Sequence, residues 1–288
     1  METVVVRMED GAAISVTLFG RSGRSVILVH GLASNGRLWW PVARLLAPYC
    51  RIAVPDLRGH GSSSGQGGPH SIELAAKDIR RIVEELSLDV VGVAGQSWGA
   101  AVAACYAQRY PAGIAVAATV DGVLERLRDR FASSEAMLEA LTPPDVSGVS
   151  LDALAERLEA RYRQFPEGAV GAALGSFFAG PGGEAQRCLP IPDHLRILSD
   201  LFDFDMEACL GDMQARLLVI ASLSGEVDED RRKLEISRGV IGRARPGSQL
   251  VALIADHDVH LQMPEVVAGQ LLAAICGTGA AHGFERGG

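Results

Sequence analysis

The chain reads as an α/β protein, a mostly parallel central sheet with flanking helices and a helical segment inserted late. Three observations predict this. Short apolar runs rich in valine, isoleucine and leucine alternate with helix-like stretches through the first 120 residues and return after residue 213. Between about residues 123 and 212 no buried strand run occurs, only helix-like stretches split by Pro and Gly. The 288 residues are 48% hydrophobic, enough for one large core with an insert. The expected division is a core from residues 1–122 and 213–288 and a helical insert over 123–212.

The elements follow in order. Residues 3–8 and 12–19 read as two strands joined by a turn at Glu9-Asp10-Gly11. Residues 25–30 form a central strand, a helix covers 37–47 and stops near Pro48, and the next strand runs from Cys50 to Pro55. Gly65-Gln66-Gly67-Gly68-Pro69 is a loop. Ser71 then opens a helix to Leu86, with apolar residues at 72, 75, 79, 82, 83 and 86 on one face. Val90 to Ala94 is a strand, Ala100 to Ala107 lie on a helix ended by Pro111, and Gly113 to Val120 is another buried strand. Parallel strands joined by helices imply right-handed crossovers. In the insert, helices are expected around 124–141, 151–164, 167–179 and 193–210. The core resumes with strands at 216–221 and 249–255.

One turn carries chemistry. Gly95-Gln96-Ser97-Trp98-Gly99 sits between a strand and a helix, the context in which G-x-S-x-G has a physical meaning. A tight turn there strains Ser97, points its hydroxyl out of the sheet and needs small residues two before and two after. The helix that follows aims its positive end at the reaction centre. A serine nucleophile needs a base, and the base needs a carboxylate. Candidates for both lie past later strand ends: Ser222 to Asp228 after the run at 216–221, and Asp256-His257-Asp258 after the run at 249–255.

Composition narrows the partners. The net charge of −8, from 27 basic and 35 acidic residues, argues against nucleic acid or an anionic membrane. Apolar runs fall short of the roughly 20 residues that a membrane-spanning helix needs, and the first residues carry no signal-peptide pattern. Five scattered cysteines suggest no metal site and fit a reduced cytoplasm. The expectation is a cytoplasmic protein with a small-molecule substrate, no metal and no cofactor.

At these residues the chain resembles the α/β-hydrolase superfamily, over nearly its whole length outside the insert. Family members carry a His-Gly turn after the third strand, here within Val26-Ile27-Leu28-Val29-His30-Gly31-Leu32, and often D-x-R-G-x-G-x-S, here Asp56 to Ser63. They place the catalytic histidine seven residues before Pro-Glu, here His257 and Pro264-Glu265, and the acid in G-x-x-D, here Gly225 to Asp228. Two positions depart from the pattern. Ala100 replaces a second glycine after the turn, and Asp256 replaces the glycine that commonly precedes the histidine. Asp256 and Asp258 are expected to raise the basicity of His257.

The resemblance implies a catalytic triad of Ser97, His257 and Asp228, with Asp121 after the strand ending at Val120 and Glu226 as alternative acids. It implies an oxyanion hole from the backbone N–H groups of Leu32 and Trp98, and Leu32 and Trp98 also as substrate contacts. It implies that the insert is a cap over the site. His30 and His60, the latter with Asp56 and Arg58, are expected to organise loops, and Trp39 and Trp40 to pack. The spacing to Pro264 favours His257 over His260 as the base. Phe177, Phe178, Phe202 and Phe204 line a pocket or pack the insert. The implied activity is hydrolysis of an ester, lactone or thioester of a small, mainly apolar substrate. The alternatives are C–C bond hydrolysis, lyase, perhydrolase or acyltransferase chemistry, or a ligand-binding receptor. Serine rather than aspartate at 97 argues against dehalogenase and epoxide hydrolase chemistry.

Overall fold

Eight strands form one sheet in a computed structural model that describes residues 1–277. They are β1 (Glu2–Arg7), β2 (Ala13–Phe19), β3 (Ser25–Val29), β4 (Arg51–Pro55), β5 (Val90–Gln96), β6 (Val116–Val120), β9 (Arg216–Leu223) and β10 (Gln249–Ile254). Their spatial order is β1-β2-β4-β3-β5-β6-β9-β10. Only β2 runs against its neighbours, pairing antiparallel with β1 and β4. β7 (Phe177–Ala179) and β8 (Ala185–Arg187) form a separate antiparallel pair inside the insert.

The central strands are apolar throughout because helices cover both faces. Every residue of β3 and β5 is buried. Successive β3 residues serve opposite layers, as the two-residue period of a strand requires. Ile27 and Val29 pack with α2 (Ile72–Glu85) and α3 (Trp98–Arg109). Val26 and Leu28 pack with α1 (Trp40–Leu46) and α12 (Pro264–Cys276). Ser71 accepts the Leu74 N–H at 3.0 Å and caps α2, fixing where that helix starts. The expected helix over 37–47 begins instead as a 3₁₀ turn, Gly36–Trp39, because Pro41 lies at the start of α1 and the Asn35 side chain caps the preceding turn.

Between β6 and β9 lie α4 (Leu127–Arg130), α5 (Ser134–Leu141), α6 (Leu151–Arg161), α7 (Ala169–Leu174), α8 (Ile191–Asp203) and α9 (Met206–Gly211). The helix expected over 167–179 ends at Leu174. Phe177 to Ala179 are extended, since Gly180-Pro181-Gly182-Gly183 turns the chain back and pairs them with Ala185–Arg187. The stretches at 124–141 and 193–210 each divide in two, where Ser133 and Asp205 cap a new helix. α10 (Val227–Arg243) and α11 (Val259–Gln262) complete the core. No helix among the described residues is long and apolar enough to cross a membrane.

Candidate active site

Four described residues other than glycine adopt positive φ, and three of them gather at one end of the sheet: Ala33 (55°), Ser97 (54°) and Asp121 (43°). Such conformations cost of order 1–3 kcal/mol each and persist only where surroundings over-determine them. Ser97 ends β5 and is the cap residue of α3. A Cβ on Gly95 would strike the backbone of Gly99, and one on Gly99 would strike the His30 carbonyl. The glycines at both places are therefore steric requirements of the turn. A Cβ on Gly31 would lie 3.1 Å from that of Ser97, which puts the His30-Gly31-Leu32 turn directly beside the serine.

His257 follows β10, and its Nδ1 donates to Asp121 Oδ2 at 2.6 Å. Asp121 is the first residue after β6, and its side chain is only 6% exposed. Its other oxygen, Oδ1, accepts the Ser222 N–H at 3.1 Å and the Lys233 ammonium at 2.9 Å. Burial pushes the Asp121 carboxyl up, but the bonds and charges of His257 and Lys233 outweigh it and hold the group below the usual range. For His257, desolvation pulls down and the Asp121 bond and charge pull up. The second prevails, so the ring holds its proton above the ordinary histidine value.

Asp228, the acid implied by the G-x-x-D pattern, is not there. Its side chain is 95% exposed and pairs with Arg231 at 2.9 Å. The physical reason is helical. Asp228, Glu229 and Asp230 fill the first turn of α10, where a helix favours acids, and Asp230 accepts the N–H groups of Ser224 and Gly225. The acidic run marks a helix start. Glu226, the residue before that helix, is also exposed.

Ser97, Asp121 and His257 line one cavity of about 200 Å³. The insert supplies Val123, Leu124, Glu125 and Arg130 to its wall, and α10 supplies Glu229, Arg232, Lys233 and Ile236. Apolar surface is joined by charges: Arg232 bonds Glu125 at 2.6 Å, and Arg130 stands 3.9 Å from Glu229. Burial pushes the Glu125 carboxyl up against the pull of Arg232. No hydrogen bond joins the Ser97 and His257 side chains across this cavity.

Trp98 does not wall the cavity. Its ring is buried and stacks on His60 with centroids 5.6 Å apart. Its backbone N–H, at the first position of α3, has no helical carbonyl to bond. The Leu32 N–H, in the adjacent turn, makes no backbone or side-chain hydrogen bond. Phe177, Phe178, Phe202 and Phe204 lie outside the cavity wall; Phe202 and Phe204 pack on the main core.

Two other histidines, His30 and His60, organise loops. His30 accepts the Leu57 N–H at Nε2 (2.8 Å) and donates from Nδ1 to the Gly31 carbonyl (2.7 Å). His60 accepts the Ala33 N–H and donates to the Arg58 carbonyl. His260 is fully buried against Trp39, and burial pushes it down to about 4. Among the described residues no cluster of His, Cys, Asp or Glu is arranged to hold a metal ion.

A family model described as alpha/beta hydrolase fold matches residues 24–177, more than half of the 288 residues. The chain belongs to the α/β-hydrolase fold family, a family of hydrolases. It is 36% identical over 86 residues to the soluble epoxide hydrolase of Corynebacterium sp., covering 30% of each chain. It is 37% identical over 83 residues to N-formylmaleamate deformylase of Pseudomonas putida, covering 28% of this chain and 31% of that protein. The matched segment spans 26% of the length of an uncharacterized Mycobacterium tuberculosis relative and 42% of a Mesorhizobium japonicum haloalkane dehalogenase. Among solved structures, E-2-(acetamidomethylene)succinate hydrolase superposes with a TM-score of 0.77 at 21% identity, covering 96% of this chain and 100% of that one. That likeness is one of fold.

Proposed function

We propose that the protein is a serine hydrolase that cleaves an ester, lactone or thioester through Ser97, His257 and Asp121. The observation that carries the reading is the 2.6 Å contact between His257 Nδ1 and Asp121, set in the same cavity as a strained serine. The Ser97 Oγ attacks the acyl carbon as His257 Nε2 takes its proton. The tetrahedral oxyanion is held by the N–H groups of Trp98 and Leu32. Collapse expels the leaving group, which receives the proton from His257, and leaves an acyl-serine. Water then repeats the sequence, releasing acid and free serine. Asp121 keeps the proton of the neutral ring on Nδ1, orients the ring and stabilises its cationic form. Residues 123–212 act as a cap over this site, and the charged wall suits a small acyl substrate with polar as well as apolar groups.

The soluble epoxide hydrolase and haloalkane dehalogenase relatives do not displace this reading. Position 97 here is serine, and alkyl-enzyme chemistry of those kinds uses a carboxylate nucleophile. A second reading is cleavage of an acyl–nitrogen bond, as the name of the deformylase implies for that relative. The charged cavity wall favours a substrate of such polarity.

Hydrolysis of p-nitrophenyl esters from acetate to decanoate, alongside Ser97→Ala and His257→Ala, tests the proposal. Turnover that falls by about 10⁴-fold or more in both variants is expected. Activity that survives Ser97→Ala would sink it. Labelling of Ser97 by a fluorophosphonate without ester turnover would move the substrate to acyl–nitrogen compounds.

A further inference from the structure

Asp121 has two oxygens, and only one serves His257. The other is built into a second cluster. Lys233, on α10, donates from Nζ to Asp121 Oδ1 at 2.9 Å and to the Ser222 carbonyl at 2.7 Å. The Ser222 N–H completes the set on Oδ1. Backbone and lysine thus hold the carboxylate from the β9 side while the imidazole takes it from the β10 side. The Lys233 side chain is 31% exposed, its partner 6%. The helix in which the family pattern places an acid therefore delivers a cation to an acid on the neighbouring strand.

We propose that Lys233 is a positioning residue for this pair: its ammonium anchors the far oxygen of Asp121 and holds down the proton affinity of His257. The inference rests on reading Asp121 and His257 as acid and base. With His257 neutral, Asp121 and Lys233 sum to zero; when the ring takes the serine proton the cluster carries one positive charge. A lone carboxylate beside an imidazole raises its basicity without restraint, and a base protonated at neutral pH cannot accept the serine proton. The lysine offsets part of that pull and fixes the carboxylate in line with Nδ1.

Other charges bear on His257 from each side. Asp258, in its own loop, attracts the proton, but its carboxylate is shared by the Tyr162 hydroxyl at 2.8 Å and by Arg161 at 3.6 Å, both from the α6 region. Asp256 takes Arg161 at 3.2 Å. His260, three residues on, is neutral in the core. Across the cavity Glu125 pairs with Arg232 and Glu229 stands near Arg130. Lys233 is the cation in direct contact with the acid.

The test uses Lys233→Gln, which keeps a donor toward Ser222 and Asp121 but loses the charge, with Lys233→Arg as the charge-retaining control. Two readouts are needed: the pH profile of kcat/KM, and a direct NMR titration of the His257 ring, which does not depend on turnover. In Lys233→Gln the acid limb and the ring titration both move to higher pH. At the optimum, kcat falls by about tenfold with KM nearly unchanged, and Lys233→Arg restores the profile. A folded Lys233→Gln protein whose ring titration and acid limb match the wild type overturns the inference. Asp121→Asn separates the two levels. If it lowers the His257 titration while Lys233→Gln leaves it in place, only the role of Lys233 fails. If it leaves the ring titration unchanged, the acid assignment fails and this inference falls with it.

Discussion

The sheet is held by apolar burial, while the insert adds a polar seam to its apolar contacts. β3, β5 and β6 are buried at every residue and sandwiched between helices. The insert is uneven: α5 contributes only Met137 to the interior and α6 only Leu154, whereas α8 and α9 bring Ile197, Leu198, Leu201, Met206 and Leu210 into the main core. Besides that apolar contact, a set of polar contacts ties the insert to core loops. Asn35 Nδ2 donates to the Ala172 carbonyl at 2.9 Å and to Ser176 Oγ at 2.8 Å. Asp193 accepts the Gly67 N–H, and Asp200 accepts the Ile72 N–H, each at 2.7 Å. Tyr162 bonds Asp258, one residue from His257. Hydrophobic burial is tolerant of small shifts, while hydrogen bonds fix relative position. The lesson is that apolar burial, shared by the sheet and by α8 and α9, supplies the stability, and the polar seam sets where the cavity wall stands.

Three changes would break or sharpen this contrast, in order of expected effect on stability. Gly99→Val puts a branched side chain against the His30 backbone. It should destabilise by several kcal/mol, in the range of severe overpacking, and abolish activity. Calorimetry showing native stability in that variant would mean that the turn is not sterically locked.

The second change is acid. His260 has its folded value lowered, so the unfolded chain binds the proton first as pH falls. The core should lose stability as pH drops from about 6.5 toward 4, by on the order of 3 kcal/mol from this residue. Nothing is lost above 6.5, where both states are neutral. His30 and His60, also pushed down by burial, add to the same trend. Denaturant titrations across that range, with His260→Phe as control, check the sign. The control should show a weaker acid dependence.

The third change is at the seam. Tyr162→Phe deletes the hydroxyl that meets the buried Asp258 carboxylate, and should cost about 1–2 kcal/mol. It should also lower kcat modestly, since the same carboxylate adjoins His257. A variant that loses stability but keeps kcat would confine the seam to a structural role.

Much of this was legible in the sequence, and the exceptions have causes. The strands of the core announce themselves because burial on both faces demands unbroken apolar runs. The order Ser97 then His257 was legible for a similar reason: each sits at a strand end flanked by recognisable turn residues. The carboxylate partner of His257 was legible only as an alternative, because more than one carboxylate follows a strand end and the sequence does not show which way each side chain points. Asp121 immediately follows Val120 and precedes Gly122, which leaves no length for its side chain to turn away. Asp228 follows β9 by five residues, enough for a helix to begin and carry it into solvent. The Gly-x-x-Asp spacing concealed that difference. The hairpin at Phe177–Arg187 escaped for want of length, since three-residue strands leave no periodic pattern. The Lys233 contact joins positions 112 residues apart and had no local signal.

The measurement that bears most directly on the account compares Asp121→Asn with Asp228→Asn, by kcat/KM on whichever ester the wild type turns over best. Asp121→Asn should lose about 10⁴-fold, the scale seen when a triad acid becomes an amide, while Asp228→Asn stays within about twofold, as expected of an exposed ion pair. The reverse ranking would contradict the account and return the acid to the helix start after β9.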